Sequence, residues 1–184
     1  MRNNLLIVIP SRINSKRLKQ KPLLKVGNKT LIELVYENVS KIKNYEILVA
    51  TDSVKILNVC KKKKIPCIIT SKKHETGSDR VAEVSKKKRF KWILNLQGDE
   101  PLINIKDIKK LISKTLIYQR KRKNFVVSTL YVKKKFKKNN RNEVKLINNK
   151  KDEVLMFSRE KLLSNKTEYC KHIGIYLYKS NFLK

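Results

Sequence analysis

The stretch "IPSRINSKRLKQKPL" (residues 9–23) gathers Arg12, Lys16, Arg17, Lys19 and Lys21 with the hydroxyls of Ser11 and Ser15, and holds no acidic residue. It follows the apolar run "LLIVI". Cations, hydroxyls and free backbone N–H groups at the end of a buried strand suit a polyphosphate cradle. The loop lacks GxxxxGK[ST] and GxGxxG, so it is neither a P-loop nor a dinucleotide fingerprint. Spacing alone leaves a solvated basic loop open. A second stretch, "NLQGDEP" (95–101), sets Asp99 and Glu100 in a Gly/Pro turn. Mg²⁺ commonly takes one or two carboxylates plus substrate phosphates, and Asp99 is placed to supply one. An Asx-type turn capped by Asp99 fits the same residues.

Two further stretches carry weaker signals. "HETGSDR" (74–80) places a Gly-Ser pair before a helical pattern, a tight turn suited to approaching a ligand at the helix N-terminus. Simple capping by Ser78 explains the same pattern. "HIGIY" (172–176) puts His172 on a late strand, where a hydrogen-bonded structural histidine is the commoner case. Metal ligation by histidine is not expected, because the chain has only two and no ligand spacing accompanies them.

These loops need a scaffold, and the periodicity supplies one. Residues 5–9, 46–51, 66–70 and 91–97 are short apolar runs that read as strands buried on both faces. Between them, 30–43, 53–63, 78–87 and 105–121 show helical spacing. Leu31, Leu34, Val35, Val39 and Ile42 form the stripe of the first helix, and Thr30 with Glu33 form a capping box. Ser53 is the expected cap of the second. The alternation predicts an α/β fold with a doubly wound, mainly parallel sheet, whose loops gather beyond the carboxyl ends of the strands. Residues 125–132, 143–149, 153–159 and 172–179 predict later, antiparallel strands. With no repeat or linker, residues 1–184 read as a single domain.

The formal net charge is +31, from 46 basic and 15 acidic residues. Such charge is the usual footprint of a nucleic-acid binder. Here the lysines are spread over helix faces and loops, without the series of interleaved aromatic stacking residues that single-strand binders require. A general drift towards Lys, Ile and Asn accounts for this better, and no specific nucleic-acid partner is expected. Three scattered cysteines without CxxC spacing suit a reducing compartment. No apolar run reaches the roughly 20 residues of a membrane span, and no signal-peptide pattern opens the chain. The expectation is a cytoplasmic protein without membrane insertion.

Together, "IPSRINSKRLKQKPL", "VATDS", "HETGSDRVAEV", "NLQGDEPLI", "FSRE" and "HIGIYLYKSNFL", in this order, resemble the 3-deoxy-manno-octulosonate cytidylyltransferases, or CMP-Kdo synthetases, over essentially the whole chain. "NLQGDEPLI" and "HIGIY" separate this family from other sugar nucleotidyltransferases. The resemblance implies a Rossmann-like fold of the nucleotide-diphospho-sugar transferase type. It also implies Mg²⁺-dependent transfer of CMP from CTP to Kdo, an acidic eight-carbon sugar, for lipopolysaccharide assembly. By the same resemblance Arg12 and Lys21 hold the triphosphate, aided by Ser15 and Arg17, and Asp99 binds the metal. Thr76, Ser78 and Arg80 lie near the nucleotide. Gln97, Arg159, His172 and Tyr176 serve the sugar, and a homodimer is implied.

The departures are specific. Lys19-Gln20 stands where the family usually has Pro-Gly, which predicts a looser first loop. The segment between "FSRE" and "HIGIY" is short. After Lys184 the family continues with sugar contacts, a second metal-binding Asp and part of the dimer surface, so the resemblance implies a C-terminally truncated chain. Three other readings make distinct predictions. A truncated, inactive remnant binds CTP without turnover, and a CMP-sialate-type synthetase takes another acidic sugar. A basic nucleic-acid binder shows steeply salt-dependent affinity and no use for CTP.

Overall fold

The computed structural model describes residues 4–14, 18, 20–121, 125–135, 140–160 and 168–183. The chain comprises two compact units. The larger comprises Met1–Ser128 with Tyr176–Lys184, the smaller Thr129–Ile175.

In the larger unit β1 (Leu5–Ser11) is buried at every position, as a strand covered on both faces must be. It pairs in parallel with β4 (Glu46–Thr51) on one side and β6 (Trp92–Leu96) on the other. The β4 strand carries β5 (Cys67–Ile69), giving the order β5-β4-β1-β6. A small hairpin, β2 (Lys25–Val26) with β3 (Lys29–Thr30), follows the first loop. The registers Ser11↔Thr51 and Thr51↔Ile69 bring the ends of β1, β4 and β5 to one edge, and the end of the parallel β6 faces the same way. One face of the sheet packs Leu6, Val8, Ala50 and Ile93 against Val81 and Val84. The last two belong to α3 (Gly77–Lys87).

Helix positions follow the pattern with small shifts. α1 (Leu31–Ser40) has the expected capping box of Thr30 and Glu33, a motif worth about 1 kcal/mol. Its buried stripe is Ile32, Val35 and Val39, with Leu31 and Leu34 only half-buried. The helix stops three residues before the predicted end because Ile42 N–H bonds back to Val39 C=O in a tightened turn. α2 (Val54–Lys62) starts at Ser53 as expected, and α4 (Ile105–Lys121) spans the predicted range. β5 begins one residue late: Pro66 has no N–H, but its C=O still accepts from Val49.

The smaller unit is antiparallel where its registers are described. β8 (Lys145–Asn148) pairs with β9 (Val154–Ser158) and with β10 (Glu168–Lys179), which also takes β7 (Val127–Lys135) as a neighbour. Tyr176–Lys179 of β10 already count with the larger unit. Among the described residues no helix is long and apolar enough to cross a membrane.

Candidate active site

The parallel registers decide which side chains can meet. Loops leaving β1, β4, β5 and β6 at the same edge carry Arg12, Asp52, the 70–76 segment and Asp99. One carboxylate ties three of them. Asp52, directly after β4, accepts the Ile13 N–H at 3.1 Å through Oδ1 and the Arg80 guanidinium at 2.9 Å through Oδ2. The Arg80 side chain also donates to the Thr70 hydroxyl and, at 3.2 Å, to the Ser71 carbonyl. It is fully buried. Burial pushes its pKa down, against the opposing pull of Asp52. Arg80 therefore sits beneath the loops instead of reaching out of them. The resemblance's place for it near a nucleotide becomes a bracing position.

The 74–80 turn is built differently from the simplest expectation. Thr76, not Ser78, caps α3: its hydroxyl accepts the Asp79 N–H at 3.1 Å, and the Asp79 carboxylate accepts the Thr76 N–H at 2.8 Å. The Thr76 hydroxyl and N–H hold the Asp79 carboxyl below its usual range. Ser78 is the second residue of the helix, and its side chain lies near the Tyr178 phenol, where burial raises the phenol's pKa and Ser78 partly offsets this. Tyr178 stacks on Tyr176 with centroids 5.7 Å apart and on Phe182 at 6.4 Å. Tyr176 thus stands at one end of a ladder of three rings. Behind the turn, Glu83 takes the Ser71 N–H at 2.8 Å, His74 Nε2 at 2.6 Å and Lys87 Nζ at 2.6 Å. Burial opposes its charge, yet these three donors outweigh it and lower the carboxyl to about 2.

The two loops of greatest chemical interest meet. Lys21 opens a short 3₁₀ turn, Lys21–Leu23, whose Pro22 is buried. Its Nζ lies 2.6 Å from Asp99 Oδ2, across 78 residues of sequence. Arg12, exposed, donates through Nη1 to the Glu75 carbonyl. The Asp99 turn is held from below. Asn38 of α1 donates to the carbonyls of Pro101 at 3.1 Å and Ile103 at 2.8 Å. A Cβ on Gly98 would fall 2.8 Å from Ser11 Oγ and 2.9 Å from the Pro10 carbonyl, so glycine is required there. The carboxylate of Asp99 is paired with an ammonium. Gln97, half-buried, precedes this turn and offers its carbonyl to Glu100 N–H at 3.3 Å. Ser15 and Arg17 lie outside the described residues.

Gln20 departs from expectation instructively. Lys19-Gln20 predicted a looser loop, but Gln20 takes the left-handed conformation, φ 56° and ψ 27°. Its N–H bonds the Ile13 carbonyl at 3.0 Å, and its C=O accepts from Leu23 at 2.8 Å. The tight turn is kept without the glycine that would relax it.

Arg159 and His172 belong to the smaller unit. His172 is buried, with Nε2 3.0 Å from the Thr129 hydroxyl and its ring edge-on to Phe157 at 4.8 Å. Burial lowers its pKa, which favours the neutral ring. Arg159 is exposed and donates to the Arg141 carbonyl at 3.3 Å. Lys145, which the sequence reading passed over, is fully buried and caps the Arg159 carbonyl at 2.9 Å and that of Asn140 at 3.1 Å. Asp52, Asn38 and Glu83 were missed as well. The position of Asp52 just beyond a buried strand was its available signal.

As a metal site the arrangement offers one carboxylate turn: among the described residues no cluster of three His, Cys, Asp or Glu side chains forms. Asp99 is exposed and paired with Lys21; a lone carboxylate of this kind suits a Mg²⁺ ion that also takes substrate phosphates better than one caged by protein.

Comparisons with known proteins point to one family. The cytidylyltransferase family model matches residues 6–184. The chain is 37% identical to a 3-deoxy-manno-octulosonate cytidylyltransferase of Polynucleobacter necessarius, over 97% of this chain and 74% of that protein. It is 38% identical to the protein of that name from Francisella tularensis, over 98% and 77%. Among solved structures, a CMP:2-keto-3-deoxy-manno-octonic acid synthetase complexed with CTP superposes with a TM-score of 0.85 at 33% identity, covering 97% of this chain and 75% of that one.

Proposed function

The chain belongs to the cytidylyltransferase family, and on that premise we propose that it transfers CMP from CTP to Kdo, releasing pyrophosphate. The observation that carries this is the meeting of Lys21 and Asp99 at the carboxyl edge of the sheet. In this reading Arg12 and Lys21 bind the triphosphate oxygens, and Lys21 neutralises charge that builds as pyrophosphate leaves. The anomeric hydroxyl of Kdo attacks the α-phosphorus, forming the new P–O bond as the bond to pyrophosphate breaks, and its proton passes to solvent or a nearby base. Asp99 would hold Mg²⁺, which when bound polarises the α-phosphate. The Asp52–Arg80 pair keeps the first loop and the 70–76 segment fixed, so that the reacting groups are oriented before substrate arrives. Gln97, Tyr176, Arg159 and His172 remain assigned to the sugar through the family resemblance, and the lipopolysaccharide pathway, the cytoplasmic setting and a homodimer are proposed on the same ground.

The test is pyrophosphate release from CTP and Kdo with Mg²⁺. Turnover that falls by about 10²-fold or more in Asp99→Ala and in Lys21→Ala supports the assignment. Full turnover in either variant refutes the role of that residue. Absence of both turnover and CTP binding in the unaltered chain refutes the function.

A further inference from the structure

We propose that Lys21 is the resident counter-ion of Asp99, and that the two separate when a nucleotide and its metal arrive together. Each charge keeps the other occupied until one incoming molecule supplies both replacement partners. The proposal rests on the assignment of these residues to CTP given above, and it concerns how that site is loaded.

The contact is more than a chance meeting of two mobile side chains. Lys21 Nζ and Asp99 Oδ2 are 2.6 Å apart while their side chains are 36% and 46% exposed. Both backbones beneath them are held. The Lys21 carbonyl accepts from Leu24 at 3.2 Å, and Pro22 is packed inside. The Asp99 turn is pinned by Asn38 and by Gly98 seated against Pro10 and Ser11. An ammonium on a lone carboxylate takes oxygen lone pairs that a divalent cation would need. The same carboxylate draws the ammonium away from the position where it would meet phosphate. Arg12 differs, because it leans on a neutral carbonyl and gives up no ion pair on turning to a phosphate.

Two consequences follow for the separate ligands. CTP offered without metal must compete with Asp99 for Lys21, and metal offered without CTP must compete with Lys21 for Asp99. Offered together, they satisfy both groups. A half-exposed ion pair is weak, so the exchange is easy and the competition is worth about two- to fivefold in each affinity.

A double-mutant cycle isolates the contact. Metal-free CTP binding is titrated calorimetrically, in EDTA, on the unaltered chain, Asp99→Asn, Lys21→Met and the double variant. Asp99→Asn is expected to tighten CTP about two- to fivefold where Lys21 is present and to have no effect in the Lys21→Met background. Equal tightening in both backgrounds means a charge acting at long range and overturns the proposal. Mn²⁺ binding followed by paramagnetic resonance without nucleotide gives the reciprocal measurement. Lys21→Met is expected to bind Mn²⁺ more tightly than the unaltered chain, and saturating CTP to abolish that difference. Unchanged Mn²⁺ affinity overturns the exchange. An unaltered chain that binds no CTP, with or without metal, overturns the functional reading along with it, whereas CTP binding with additive effects overturns the exchange alone.

Discussion

At the scale of single residues, the site depends on a carboxylate that touches no reacting group. Asp52 answers a buried guanidinium from α3 and a backbone N–H from the first loop. Removing one partner of a buried pair leaves the other charge without compensation, which typically costs about 3–5 kcal/mol. Asp52→Ala is therefore expected to destabilise the chain by about 3 kcal/mol in urea unfolding, and to weaken CTP binding through the loosened first loop. Stability within about 0.5 kcal/mol of the parent would refute this role. Residue chemistry was legible in the sequence only where type and strand position agreed. The loops after β1 and β6 were visible as cations and a carboxylate at strand ends, and the structure brings Lys21 and Asp99 of those loops together. Arg80 was placed by resemblance alone, and its burial was not legible because a sequence does not tell whether an arginine early in a helix points outward or into the sheet. Lys145 gave no sign at all, since a lysine in a lysine-rich chain reads as surface.

Elements were easier to read than their ends. The apolar runs and the capping box of α1 located four parallel strands and four helices. The boundaries that shifted did so where a local bond decided matters: the Thr76–Asp79 cap, the Pro66 carbonyl, the turn after Ser40. Gln20 shows an element keeping its shape against residue preference. A non-glycine residue in the left-handed region costs about 1–2 kcal/mol, partly offset by the greater freedom of glycine in the unfolded chain. Gln20→Gly is thus expected to stabilise the protein by about 0.5–1 kcal/mol in denaturant titration; a loss of stability would show that the Gln20 side chain compensates for its backbone. The α1 cap makes a pH prediction. Glu33 is buried, which opposes its charge, but the Thr30 hydroxyl and N–H and the Lys63 ammonium prevail and lower the carboxyl to about 2. A carboxyl depressed in the fold contributes stability above its unfolded pKa and loses it as pH falls through the folded value. Stability should therefore decline between pH 4.5 and about 2, by about 2–3 kcal/mol from this group. Glu33→Gln should flatten that limb; an unchanged acid limb would remove Glu33 as its source.

The whole molecule carries a formal charge of +31, and its compact state must work against that repulsion. Salt screens charges over about 10 Å at 0.1 M. Raising sodium chloride from about 20 to about 200 mM is expected to raise the melting temperature by about 2–4 °C while weakening CTP binding. A melting temperature that falls with salt would mean that attractive ion pairs outweigh the repulsion. The overall α/β class followed from alternating strand and helix patterns. No linker or shift in composition marks residues 129–175, the smaller of the two compact units.

The three-way tie at Asp52 also has a genetic consequence. Loops that share one fastener fail together, so loss of Asp52 and loss of Arg80 should be alternative routes to the same defect. In a library of random variants, chains bearing both changes should be no sicker than chains bearing either one. Position 80 would then tolerate its commonest replacements more readily once position 52 has already changed.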